Sequence, residues 1–529
     1  MTGRLRRNNR ARAAVTVAVS AGLLAGCGGS SNGAKAAAAP TDHVLHASFL
    51  QDPGQPPDPD IYYAGQGLLL TTNLYEGLLQ YRPGTDKPEI VSDLATSFKA
   101  SPDNKAFTFQ LRHGVKFHDG TPFTAAAVKP SFDRRLAVNQ GPAYMVSDVA
   151  SVTTQGDYEV TVKLKHSNAA FPAYLASAYG PRMMSPTGLV AHAGKDHAQT
   201  YLRKHDLGTG PYTLTDARVG THYAMKAFAG WWGPKPYFTS VDMPVYTDPS
   251  AQQLALNKGQ LAIVMHDLSA SAVQSYRKNT ALKNYSMQSM NSDFLYVNPH
   301  RGMLTSPANR SALLQAIDAD ALYKAVFTGR ADKADQAYPA RMMPTGEAEQ
   351  GISHDPSVLS KIAATLPAGQ RTLTIGYDSQ SSDNQTVANL ISAQLSSAGL
   401  TVKIQAYPTS QIFTWPTDVK GAPDMLLSTG WPDAAAPYTW AHISYEEGAG
   451  LNYMQCSTPQ ITKLIHQGLA TGSDEVFSKV GTLAAQSGCW ENLVNQDDFM
   501  VAQPWLKGVK EAHVITAPFT LSVAALSAG

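Results

Sequence analysis

Several stretches of the chain carry a legible alternation of apolar and polar positions. Phe107, Phe109 and Leu111 alternate with Thr108, Gln110 and Arg112, the two-residue period of a half-buried strand, and Val115 and Phe117 resume it after His113-Gly114. A hairpin is expected there. Asp119-Gly120 supplies a second turn, Pro122 an extended entry, and Thr124 a cap for a helix beginning at Ala125. Pro130 falls inside that helix and removes a backbone donor, which predicts a kink or an early stop. Further on, "RTLTIGYD" from Arg371 alternates as a strand, "NQTVANLISAQLSSAG" sets Val387, Ile391 and Leu395 on one helical face, and "LTVKIQAY" is a second strand. This is a βαβ unit, whose right-handed crossover makes the two strands parallel. Leu313, Leu314, Ile317, Leu322 and Val326 predict another helix, ending at Gly329. The N-terminal half instead mixes hairpins with short helices, as in "LGTGPYTLTDARVGTHYAMKAF" from Leu207, so two unlike lobes follow.

The first residues break this pattern. Arg4, Arg6, Arg7, Arg10 and Arg12 precede an uncharged run from Ala13 to Leu24, too short for a stable membrane span but with the flanks of an export signal. The run ends in Leu24-Ala25-Gly26-Cys27, which resembles the lipobox of bacterial lipoproteins. That resemblance implies a signal peptide over 1–26 and a lipid on Cys27, holding the chain at the outer face of the cytoplasmic membrane. Residues 27–42 are Gly, Ser and Ala rich and read as a flexible tether. Gly29-Ser30-Ser31-Asn32-Gly33 matches a hydrolase pattern only formally, because the tether offers no strand-to-helix turn.

Composition narrows the classes. About five hundred residues remain beyond the tether, enough for two or three domains, and 43% apolar with 16% charged residues fits a folded core. A net charge of +1 gives no field for nucleic acid, and no second long apolar run is present. Cys456 and Cys489 are an even pair in an oxidising compartment and are expected to form a disulfide.

Eight segments in order carry a wider resemblance: "NLYEGLLQY" from Asn73, "LRHGVKFHDGTPFTAAAV" from Leu111, "MMSPTGL" from Met183, "GTGPYTL" from Gly208, "WWGPKPYFTSVDM" from Trp231, "QQLALNKGQL" from Gln252, "LLQAIDADALYKAVFTG" from Leu313 and "TGWPDAAAP" from Thr429. Together they resemble the extracytoplasmic solute-binding proteins of ABC importers in the peptide and nickel class, family 5. Two departures stand out: Ala127 and Ala262 occupy positions where the family has an acidic residue. The resemblance implies an α/β, two-lobed periplasmic-binding-protein-like fold (type II, cluster C) with an extra subdomain in the N-terminal lobe and a hinge between lobes. Its boundaries are expected as lobe I over 43–290 with the subdomain at about 82–200, lobe II over 291–502, and a return to lobe I over 503–529.

The implied function is binding of an oligopeptide or peptide-like solute by a monomer that delivers it to permease subunits, with no cofactor, no metal and no catalysis. Nickel complexes, opines and oligosaccharides are alternative solutes of that family, and sensing without transport is an alternative role. In peptide-binding relatives a tryptophan is followed shortly by an aspartate that meets the ligand amine, which selects Trp431 and Asp433; Tyr62, Tyr63, Tyr438 and Trp440 are candidate aromatic lining. Arg301, Arg341 and His442 are candidates for a ligand carboxylate, with no motif choosing among them. His113, His118 and Asp119 read as a solvated turn. An acyl-transfer enzyme is the competing class: Ser275-Tyr276-Arg277-Lys278 fits S-x-x-K and Ser382-Asp383-Asn384 fits S-D-N, but the K-T-G element is missing and the second match coincides with a helix start.

Overall fold

The computed structural model describes residues 38–266, 268–379 and 381–529. The export segment, Cys27 and most of the tether lie outside the described residues. The first lobe is built on a five-stranded sheet in the order Val44–His46, Ser240–Tyr246, His222–Ala227, Tyr212–Arg218, with Phe49–Leu50 also paired to Ser240–Tyr246. Leu45, Phe49, Tyr223, Met225 and Val241 bury its core. The turn before this sheet explains its glycines. A Cβ on Gly208 would lie 2.0 Å from the Leu74 carbonyl oxygen, and one on Gly210 2.5 Å from that of Asn73.

A separate four-stranded sheet, Ala95–Ala100, Ala106–Leu111, Glu159–Leu164 and Val149–Gln155 in spatial order, forms the extra subdomain with the helix Val128–Val138. The expected hairpin is corrected here. Ala106–Leu111 has neighbours on both edges, so Val115 and Phe117 cannot pair with it; they pack into the core around a lone bridge from Lys116 to Pro122. Pro130 causes no break, because a 3₁₀ turn at Ala125–Ala127 delays the α-helix to Val128. Proline then falls in the first turn, where a backbone donor has no intrahelical partner to lose. Thr124 makes no side-chain capping bond. His118 is not solvated either: its ring is buried between the Asp206 carboxylate and the Gly210 carbonyl oxygen.

The second lobe is built on a seven-stranded sheet, in the order Ile263–Val264, Trp490–Ala502, Lys283–Val297, Met425–Gly430, Thr372–Asp378, Thr401–Tyr407, with Ala331–Lys333 also on Trp490–Ala502. The βαβ unit is present, with Thr372 beside Thr401 through Asp378 beside Tyr407 in parallel register and Val387, Ile391 and Leu395 buried. The single helix expected up to Gly329 is instead two, Pro307–Gln315 and Ala319–Leu322, the latter running on as a π-helical turn. Asp318 starts the second by accepting from the Ala321 amide at 2.9 Å. The Cys456 and Cys489 sulfurs are bonded at 2.03 Å, fastening the segment after the helix Pro437–Tyr445 to the start of Trp490–Ala502.

Lys283–Val297 and Trp490–Ala502 pass between the lobes. Met287 and Met500 belong to the first lobe's core, while Leu295 and Leu493 belong to the second's. Between them the register slips from Gln288 to Asn291, and the strands turn polar. Ser289 donates to the Gln496 carbonyl at 2.7 Å, Asn291 to Asp498 at 3.1 Å and Ser292 to Asn495 at 2.8 Å. A bulge bends a strand, and hydrogen-bonded polar side chains tolerate that bend better than interlocked apolar ones. This geometry is a hinge.

Candidate functional site

The loop ahead of the helix Leu68–Leu74 is held from below by a buried ion-pair network. Arg134 bonds Asp58 at 2.6 and 2.8 Å and Asp60 at 2.6 Å, and Arg135 adds a bond to Asp60 at 2.9 Å. Unpaired, any of these charges would be costly to bury; paired, they fix where the next residues, Tyr62 and Tyr63, emerge. Their rings then point into two different environments.

Tyr62 lines a cavity of about 850 Å³ between the lobes. One wall comes from the first lobe, including Asp52, Ser250, Ser269, Ser275 and Phe519, and the other from Asp378, Ser382, Thr409 and Trp431. The Trp431 indole is fixed by donating to the Tyr179 hydroxyl at 2.9 Å and by edge contact with Phe519 at 6.0 Å. Three helices begin at this cavity, capped by Asp248, Ser269 and Ser381. Asp52 accepts from the Gly54 and Gly220 amides at 2.8 and 2.6 Å and from the Tyr223 hydroxyl at 2.7 Å, which locks its carboxylate in place.

Tyr63 faces the other way. Its hydroxyl and that of Tyr144 donate to the same oxygen of Asp433, Oδ2, at 2.6 and 2.7 Å. Ser177 donates to the Asp433 carbonyl oxygen. Asp433 is 3% exposed, and burial raises its pKa above the ordinary aspartate value although the two phenols work against the shift. Tyr438 stacks on His442 at 5.1 Å, and His442 in turn lies 5.5 Å from the Tyr144 ring.

The structure thus brings Trp431 and Tyr62 to the cavity wall and sets Asp433 and Tyr438 away from it, in the aromatic cluster. Trp440 is fully buried against Phe294. None of the three carboxylate candidates lines the cavity among the described residues: Arg301 bonds the Ala422 carbonyl at 2.5 Å, His442 bonds Glu446 at 2.5 Å, and Arg341 lines a different surface depression. Asp52 and Phe519 give no signal in the sequence, because they sit in loops outside any periodic pattern, and Asp378 closes the alternating strand from Arg371 with nothing local to mark it as cavity lining.

The two serines of the enzyme alternative, Ser275 and Ser382, also line the cavity. Ser275 is in the C-terminal half of the helix Ala270–Lys278, where the dipole disfavours a developing oxyanion, and Asp383 is tied to Arg330 at 2.6 Å. Among the described residues no group of three or more His, Cys, Asp or Glu is placed to hold a metal ion, and no helix is long and apolar enough to cross a membrane.

The family model for bacterial extracellular solute-binding proteins, family 5 (middle), matches residues 89–451. The chain belongs to that family. The family 5 chain is 26% identical over 441 residues to the probable D,D-dipeptide-binding periplasmic protein DdpA of Escherichia coli K12, covering 82% of this chain and 84% of that one. It is 28% identical over 380 residues to the glutathione-binding protein GsiB of E. coli O1:K1, with 70% and 71% covered. Among solved structures, DppA of Helicobacter pylori bound to the peptide STSA superposes with a TM-score of 0.77 at 21% identity, over 92% of this chain and 98% of that one. NikA of Brucella suis bound to Fe(III)-EDTA gives 0.79 at 21% identity, over 92% and 100%. These are two-lobed binding proteins, and the solute-binding fold of this chain is the same.

Proposed function

We propose that this family 5 protein captures a peptide or peptide-like solute in the cavity between its lobes and presents it to the permease of an ABC importer. The cavity itself carries the reading. Its roughly 850 Å³ lies within the usual range for small-molecule sites, it is walled by both lobes, and it sits beside a hinge that can close on a guest. Serine and threonine hydroxyls and glutamine amides suit the alternating donors and acceptors of a peptide backbone, while Trp431, Tyr62 and Phe519 offer apolar contact that tolerates many side chains. The peptide ligands named for several relatives support the same class. Mass spectrometry of solute released by denaturing the purified protein tests it: peptide masses are expected, and sugar or metal-chelate masses would contradict it.

The same proposal places the protein outside the cytoplasmic membrane, as a monomer anchored through Cys27. Cys27→Ser is expected to move it from the membrane fraction to the medium or leave it as uncleaved precursor, because two acyl chains give stable attachment where none remains in the variant. Retention of a normally cleaved variant on the membrane would count against the anchor.

A further inference from the structure

The cavity is chemically one-sided. Asp52 stands on one wall and Asp378 on the other, and among the described residues no Lys, Arg or His lines it. Asp52 is held rigid by its three donors, and Asp378 accepts from Thr409 at 2.7 Å. Arg277, on the same helix as Ser275, donates to the Gly329 carbonyl and lies over the Phe499 ring at 5.7 Å, and Arg330 is paired with Asp383.

The helix starts do not substitute for a cation. Asp248 already occupies the first amides of Pro249–Asn257, accepting from Ser250 at 2.8 Å, and Ser382–Ser397 carries Asp383 in its first turn. Ser269 and Ser381 cap the remaining starts, accepting from Ala272 at 3.3 Å and Asn384 at 3.1 Å. An ammonium entering the cavity meets an acidic side chain on either wall, Asp52 on one and Asp378 on the other. Among the described lining residues a carboxylate finds like charge and no cation, and burying it without a cationic partner is strongly unfavourable.

We propose that the cavity selects amine-bearing solutes that bring no free carboxylate into it, such as peptides with an amidated, esterified or cyclised C-terminus. The proposal rests on the peptide reading above and narrows it. In a peptide site with a basic anchor, blocking the C-terminal carboxylate weakens binding; here it strengthens it. The two signs are opposite, so a comparison of acid with amide is decisive.

The test offers ligand-stripped wild-type protein an equimolar mixture of randomised tripeptides made as free acids and as C-terminal amides, and reads the retained species by native mass spectrometry. Amides are expected to outnumber their acid counterparts at least tenfold. Equal retention, or an excess of acids, overturns the selectivity while leaving the peptide reading standing. Retention of neither overturns both. Ser275→Lys supplies the missing cation at an exposed helical position on the cavity wall and is expected to bring acids to within threefold of amides. An unchanged ratio in a correctly folded variant would overturn the electrostatic cause.

Discussion

Two acidic regions adjoin the segment from Trp431 to Asp433, and they treat a carboxylate in different ways. Asp433 is dry, with two phenols on one oxygen and aromatic rings around it, and burial pushes its proton affinity up. Asp52 and Asp378 face a cavity large enough for a guest. Tyrosines of the first lobe close off the site around Asp433, whereas the cavity acids border space that a solute can enter. The difference teaches that an acid near a binding cleft is assigned by its surroundings, dry and closed or open to a guest. On this account Asp433 fastens the lobes together and Asp378 meets the solute.

The strongest way to break the comparison is to release the loop that separates the regions. Arg134→Met leaves Asp58 and Asp60 buried without their main partner, and unfolding titration is expected to show a loss of about 3 to 5 kcal/mol. A loss under about 1 kcal/mol would mean that the network does not hold the loop. Removing both phenols, Tyr63→Phe with Tyr144→Phe, is expected to cost about 2 kcal/mol, limited because Asp433 can take up a proton once its donors are gone. Near the ordinary aspartate pKa, where the wild-type carboxyl still holds its proton, Asp433→Asn alone should cost under about 1 kcal/mol, since one amide oxygen can accept from both hydroxyls. If the double variant is as stable as the wild type, the dry region is not a fastening.

Much of this organisation is legible in the sequence where periodicity carries it. The βαβ unit and its buried Val387, Ile391 and Leu395 follow from their spacing alone. Periodicity fails where it has to name a partner: the alternation around Phe109 marks a strand, but nothing local says that both its edges are already occupied. Pro130 escapes its expected kink because one 3₁₀ turn moves the helix start by three residues. His118 reads as a turn residue because its partner, Asp206, lies 88 positions away. In the site, Trp431 and Tyr62 can be chosen by motif and residue type, whereas the Tyr63 and Tyr144 contact with Asp433 spans 370 and 289 positions. The polar crossing of the two long strands is written in the sequence as Asn495-Gln496-Asp497-Asp498, yet its role appears only when Gln288 to Asp293 is laid beside it.

The same carboxyl, that of Asp433, also gives a pH dependence. The folded pKa of Asp433 is raised above its ordinary value of 3.8, so the folded state binds this proton more tightly than the unfolded state does. Its contribution to stability is therefore present near and below the ordinary value and is lost as pH rises through the folded pKa. Asp433→Asn removes that loss. The stability of the variant relative to wild type should increase with pH, by about 1.4 kcal/mol for each pH step between the ordinary and the folded value. A difference that is flat from about pH 4 to about pH 8 would show that the carboxyl is not buried in solution.

The most direct measurement is calorimetric titration of trialanine amide into the wild type, Asp378→Asn and Asp433→Asn at one pH. The account predicts at least a tenfold loss of affinity in Asp378→Asn and a change of less than threefold in Asp433→Asn. A tenfold loss in Asp433→Asn with Asp378→Asn unaffected would contradict it and move the amine site to the tyrosine-lined region.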